Sequence, residues 1–484
     1  MNLSSIPLPS WLNKKRIIGI LVAIALLGGG FFVFLYSSSH KTEIALHTLD
    51  VFEKVSKLLP LEADTKKEVS VANQLVQTLT AHDNQTRSFF ILLQNNFELR
   101  PGGGFLGQYA IVKIKNGELV STFVEDANLL DQRIKNAGIA VTPPWPLTRY
   151  MQIRKWMLRD SNFSPDFPTN AQKAEYFYRL GGGREKFDAV IAVDAVVFDH
   201  VLNLTGPISI PGYPGTYSSN GGALQLEEAV EKNYLGDNVS ATAKEGRKTI
   251  MKKIATEIMS RLATVDNIPK IATLAQEELR NKDIMIFFHN TTLQSLVESV
   301  HWDGSVTKDW GSDSLMVVDA NMGALKSDAY MKRALEYSVD FTVSERPKAT
   351  LLYTYTHTAT HGDWRTSDYH TYTRVYAPLG STYIENSRQK TGGVGVQDDT
   401  TFKKTVFGYK VDALIGQTLP TGISYELPAT IQEDNYRLLI QKQSGIGTIP
   451  VTVNLKTSKG EFVAHYDLKK DLVLEIKEIE EKKQ

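Results

Sequence analysis

SFFILLQNNFELRPGGGFLGQYAIVKIKNGELVSTFVED, residues 88–126, is the stretch whose reading decides the fold. Residues 88–94 form a short apolar run of the kind that makes a fully buried strand. FLGQYAIVKI and ELVSTFVED come next as two further strands, and KNG between them is a hairpin turn. The segment NNFELRPGGG therefore joins strand to strand. That setting excludes a nucleotide phosphate loop, which leads from strand into helix and carries Lys-Ser/Thr after its glycines. Two readings of the loop stay open. In one, the N–H groups of Gly102, Gly103 and Gly104 converge on an anion and Arg100 adds a bidentate fork. In the other, the glycines serve a tight bend, with Arg100 paired to Glu98 or another carboxylate.

Upstream, Lys14, Lys15 and Arg16 precede twenty uncharged, mostly apolar residues at 17–36. At 1.5 Å per helical residue these cover roughly 30 Å, the thickness of a bilayer's hydrocarbon layer. A cleaved signal peptide would be shorter and end in a small-x-small site, whereas this run ends in Phe31, Phe32, Phe34 and Tyr36, which suit the interface. The expectation is a single-pass anchor in the cell membrane, with residues 1–16 cytoplasmic and the bulk of the chain extracytoplasmic. Residues 37–85 show helical spacing broken near Pro60, either a stalk or a segment packed on the next domain.

Downstream, strand and helix patterns alternate over 86–343, as in a mixed-sheet α/β domain. From residue 344 the pattern becomes polar-apolar alternation between turn signals, which predicts an antiparallel β-sandwich over 344–470, before a charged tail at 471–484. The fold class expected is thus α+β or α/β: a transmembrane helix, a helical segment, a mixed-sheet α/β domain and a C-terminal β-sandwich. Lys plus Arg equals Asp plus Glu at 54 each, so no overall field gathers nucleic acid. The chain has no cysteine, which excludes disulfides, thiolate nucleophiles and Cys-ligated metals.

WMLRDSNFSPDFP crowds Arg159, Asp160, Asn162, Ser164 and Asp166 into a segment stiffened by Pro165 and Pro168. Two aspartates six apart with an arginine suit a divalent cation held by oxygens; the plainer reading makes Asp160 and Asp166 turn and cap residues. Glu125 and Asp126 end one strand, and Asp188 and Asp194 bracket another, positions where α/β folds often place acids of a site. His357, His361, Asp363 and His370 lie in strands and a turn; at roughly 3.3 Å per residue along a strand His357 and His361 stand about 13 Å apart, too far to share one metal unless the chain bends. No GxSxG elbow or Ser-His-Asp order is present.

Five ordered segments carry a resemblance: NNFELRPGGGFLGQYAIVKIKNGEL, RDSNFSPDFPTNA, FDAVIAVDAVVFDHVLNLTGPISIPGY, DSLMVVDANMGALKSDAYMKR and YRLLIQKQSG. Together, over about 90–450, they look like the bacterial family called domain of unknown function 4012, in which a short anchor precedes the domain and whose name conveys no activity. More distantly, the order of elements resembles the LytR-CpsA-Psr family, anchored enzymes that move glycopolymers from polyprenyl-pyrophosphate carriers onto the cell wall. That resemblance implies phosphate binding by Arg100 and Arg247, a site acid at Asp126 with Asp160 in the same cleft, and Mg²⁺ as cofactor; Asp166 stands as a further candidate acid from the polar segment alone. Where that family carries Arg-x-Arg and a further Arg, this chain has EKNYLGDNVSATAKEGR, with Lys232, Asp237 and Arg247. Two functions are therefore expected side by side: a non-enzymatic module binding envelope polymers or partners, and a transferase or pyrophosphatase acting on a polyprenyl-linked glycan.

Overall fold

The computed structural model describes residues 62–481 apart from 214, 233–249, 251–252, 256, 259–260, 263–267, 344 and 385–392. The expected anchor at 17–36, the segment around Pro60 and Arg247 lie outside the described residues. Among the described residues no helix is long and apolar enough to cross a membrane.

Two compact units share the chain. The first takes residues up to Leu93 with Gln108–Glu125 and Arg184–Asp303; the second takes Gln94–Gly107, Asp126–Gly183 and the chain from Gly304.

In the first unit, β1 (Thr86–Asn95), β2 (Phe105–Lys115), β3 (Glu118–Asp126), β4 (Ala189–Asp194) and β5 (Ile284–Phe288) form one sheet in the order β3-β2-β1-β4-β5. The hairpin expected at KNG is there: Asn116 and Gly117 both take positive φ, 52° and 79°, as a two-residue type I′ turn requires. The helix Ala63–Leu79 presents Val69, Ala72, Leu75, Val76 and Leu79 at helical spacing to a core that includes Phe89, Ile284 and Trp302. This part of the expected helical segment therefore packs. Glu68 on its flank accepts from Gln276 at 2.6 Å and pairs with Arg280.

In the second unit, two six-stranded sheets form. One runs β10 (Thr382–Ile384), β13 (Thr418–Glu426), β8 (Lys348–His357), β7 (Met331–Asp340), β15 (Ile449–Thr457), β16 (Gly460–Leu468). The other runs β11 (Gly395–Asp399), β12 (Lys404–Ala413), β9 (Tyr369–Pro378), β6 (Asp313–Asn321), β14 (Arg437–Gln441), β17 (Leu472–Glu475). The alternation read in KATLLYTYTH is realised in β8, where Ala349, Leu351, Tyr353, Tyr355 and His357 are buried and the residues between them less so. Two features differ from the sequence expectation. β6 and β7, ahead of residue 344, are sandwich strands. They also pair in parallel with β14 and β15, so both sheets are mixed rather than antiparallel. β6 is buried along its whole length, the signature of a central strand covered on both faces, and its continuous apolar run hides the alternation that marks its neighbours.

Candidate functional site

The glycine loop belongs to the second unit, and its hydrogen bonds are met from within. The N–H of Gly102 donates to Asn162 O (3.0 Å), that of Gly103 to Arg100 O (2.9 Å) and that of Gly104 to Gln94 Oε1 (3.1 Å). The glycines are needed for close approach. A Cβ at 102 would stand 2.2 Å from Asn170 Nδ2, and one at 104 would stand 2.3 Å from the carbonyl carbon of Asn95. The three N–H groups therefore hold a bend.

Arg100 is 1% exposed. Its Nε and one terminal nitrogen both donate to Asp160 Oδ1 at 3.0 Å, and that terminal nitrogen also donates to Glu98 Oε1 at 2.9 Å. The other terminal nitrogen reaches the carbonyls of Leu99 (3.3 Å) and Asn321 (3.2 Å), and the guanidinium lies 5.4 Å from the Phe105 ring. Burial holds the Glu98 carboxyl above its ordinary value, and the neighbouring Arg100 charge offsets only part of that rise. Of the expected site residues the structure thus brings Arg100 and Asp160 together, as an ion pair closed to solvent rather than as the wall of an open site.

The remaining candidates cap and brace. Asp126 caps the helix Ala127–Asn136, accepting from Asn128 N–H at 2.9 Å. Asp166 caps the helix Phe167–Leu180, accepting from Thr169 N–H (3.0 Å) and Oγ1 (2.6 Å), while its other oxygen takes the N–H of Val306 (3.0 Å). Arg159 donates to Asp131 at 2.9 Å; Asp131, whose carboxyl burial pushes up to about 6, also takes the N–H of Leu158. Glu125 accepts from Tyr109, and Asp188 from the N–H of Ser88 at 2.7 Å. His357 is buried against Ser367 O (3.0 Å), and His370 pairs with Asp412 at 2.5 Å.

What the polar segment 159–170 does build is one side of a cleft of about 490 Å³ within the second unit. Ser161, Phe163, Ser164, Pro165 and Asn170 line it from that segment, Trp145 and Trp156 from the chain before it, and Tyr372, Arg374 and Tyr376 from alternate positions of β9. Gly408 on β12 makes room for Tyr372, since a Cβ there would stand 2.1 Å from the phenol oxygen. Trp145 is 54% exposed and meets Tyr372 edge to face with centroids 5.0 Å apart. Lys173 lies 4.8 Å over Trp156, and Arg374 5.1 Å over Phe163. Arg374 donates to Phe163 O at 3.0 Å; among the described residues its buried Nε has no partner, nor has Ser161 Oγ. Burial pushes the Tyr372 phenol up to about 12, so it stays protonated. Apart from Ser164 and Pro165, none of these residues stood out in the sequence. The usable signal was the Tyr-x-Arg-x-Tyr alternation of β9, which puts two aromatics and a cation on one face.

Segments 94–107 and 158–170 lock together in the second unit, and both fall within a stretch that a family model matches. Residues 84–220 match the family model described as "Protein of unknown function (DUF4012)". No curated protein matches the chain. Similar solved structures include the transcriptional regulator yvhJ from Bacillus subtilis, at 12% identity and a TM-score of 0.25 over 45% of this chain and 78% of that one. Protein gbs0355 from Streptococcus agalactiae is 14% identical with a TM-score of 0.27, covering 46% and 75%. Lin1025 protein from Listeria innocua is 11% identical with a TM-score of 0.22, covering 46% and 79%. Likenesses at these TM-scores carry no argument about mechanism.

Proposed function

We propose that this is a membrane-anchored, non-enzymatic protein of the cell envelope that holds a saccharide segment of an envelope polymer in the cleft beside Trp145 and Arg374. The observation that carries the reading is the half-exposed Trp145 indole set beside the Tyr372 ring in a cleft that Lys173 and Arg374 also line. The C–H faces of a sugar ring are apolar and weakly positive, and suit the negative face of an exposed indole. Its equatorial hydroxyls need polar partners at the ring's edge, and Ser164, Lys173 and Arg374 line the same cleft. The volume falls within the range of about 300–1,000 Å³ usual for ligand sites. Lys173 and Arg374 against Asp399 leave an excess of positive charge that favours an acidic sugar. The anchor is residues 17–36, supported by their length, their apolar character and the basic residues ahead of them.

The transferase reading, with polyprenyl pyrophosphate as donor and Mg²⁺ as cofactor, draws no support from the site. It asks Arg100 and Asp126 to face a shared phosphate. Arg100 is enclosed by Glu98 and Asp160, and Asp126 caps a helix.

The test uses the full chain in detergent against an array of neutral, amino and uronic-acid saccharides. Trp145→Ala and Arg374→Ala should each weaken binding at least about tenfold, the effect of losing roughly 1.4 kcal/mol of contact; the exposed Trp145 should do so without moving the melting temperature, whereas Arg374→Ala should also lower it by freeing Phe163 O. Absence of saccharide binding, or binding that both variants retain, would overturn the proposal. Separately, deletion of residues 17–36 should release the chain from washed membranes.

A further inference from the structure

The first unit holds a second cluster that saccharide binding does not use. His200 lies on the helix Val196–Thr205, Glu278 near the end of the helix Ile268–Arg280, and Asp283 one residue before β5. One ligand-type atom from each lies within 4.8 Å of the others. Local backbone contacts fix the arrangement: Asp283 N–H donates to Glu278 O at 2.8 Å, and Asp194 N–H donates to Asp283 O at 2.9 Å. His200 Nδ1 stands 2.7 Å from Glu278 Oε1. Among the described residues the other oxygen of that carboxylate, Oε2, is buried with no hydrogen-bond partner, on a residue only 2% exposed. Burying a carboxylate oxygen with nothing to receive its charge is costly, and one imidazole on the opposite oxygen leaves that cost in place.

We infer that His200, Glu278 and Asp283 form a binding site for a divalent transition-metal ion of the zinc class. One imidazole and two carboxylates make a nitrogen-oxygen donor set that zinc accepts at about 2.0–2.2 Å, which puts tetrahedral ligands about 3.3 Å apart. Side-chain rotations that shift the donor atoms by up to about 1.5 Å bring separations of at most 4.8 Å to that value. The imidazole selects against Mg²⁺ and Ca²⁺, which take shells of oxygen. Glu278 Oε2 gains in the ion the partner it lacks. His200, with its side chain 41% exposed, leaves the cluster open on one side, so water fills the fourth position.

The full chain, untagged, in detergent and stripped with a chelator, should bind one equivalent of Zn²⁺ by calorimetry and melt at a higher temperature with the ion. Co²⁺ in its place should give the intense visible bands of a tetrahedral site. His200→Ala, at a half-exposed position that the fold tolerates, should lower zinc affinity at least about tenfold, the minimum seen on losing even an outer-shell partner. Glu278→Gln keeps the side-chain volume and should do the same. Zinc binding weaker than about 100 µM in the wild-type chain would overturn the assignment. So would equal zinc binding by the wild type and His200→Ala, which would place the ion elsewhere.

Discussion

Arg100 has five hydrogen bonds to four internal acceptors, and two of those acceptors are buried carboxylates. Removing the guanidinium strands Glu98 and Asp160 as uncompensated buried charges, a loss of about 3–5 kcal/mol in comparable pairs. Arg100→Ala should therefore lower the urea midpoint of the second unit's transition sharply; an unchanged midpoint would instead point to a ligand-facing arginine. A second buried acid governs pH response. Asp313 accepts from Tyr337 (2.9 Å) and Tyr436 (2.7 Å), yet burial pushes its carboxyl from 3.8 up to about 6. A raised carboxyl binds its proton more tightly in the folded state, so its stabilisation is complete below about pH 4 and is lost as pH rises through about 6, some 3 kcal/mol in all. Melting curves between pH 4 and 7 should show the wild type gaining stability on acidification and Asp313→Asn responding less. Lys404, whose ammonium burial pushes down to about 8, stays charged across that window.

Among elements, the lock between segments 94–107 and 158–170 sets the shape of the cleft wall. Asn162 donates to Gln94 Oε1 at 2.8 Å and to Gly104 O, and the N–H of Gly102 returns to Asn162 O. Gly445, at φ +80°, closes the far side, where a Cβ would stand 2.0 Å from Gly103 O. Gly104→Ala should cost about 1–3 kcal/mol by overpacking backbone that has no room to move. Gly107→Ala, where nothing stands within 4 Å of the added carbon, should change the melting temperature little, and equal effects at both positions would sink the close-approach account. The bend was half legible in the sequence. A strand-to-strand setting and three glycines announced a turn. Arg100's carboxylate Glu98 is two residues away, whereas Asp160 is sixty residues away, and no local pattern names a partner at that distance.

For the whole molecule, both units are built from discontinuous chain, which restricts what can be cut out. β7 stands between β8 and β15, and β6 between β9 and β14, so a fragment starting at residue 344 lacks a central strand in each sandwich sheet. A fragment of residues 344–484 should give no cooperative melt by circular dichroism, because each sheet is split and four strand edges are left unpaired. A fragment of residues 304–484 keeps every sandwich strand and should melt cooperatively, though at a lower temperature than the full chain. Cooperative melting of the shorter fragment would show that β6 and β7 are dispensable.

By itself the sequence determined what acts over a few residues: the I′ turn at Asn116-Gly117, the apolar face of the helix Ala63–Leu79, and the alternating strands after residue 348. Periodicity and turn chemistry are local energies, so they are written locally. Tertiary structure alone decided that Asp126 and Asp166 cap helices and that Arg100 closes on Asp160. It also decided that β6 and β7 join the sandwich, and that Trp145 and Arg374 face one cleft. Those outcomes depend on which distant segments exclude water together, and the same residues in a different packing would have faced solvent and a ligand.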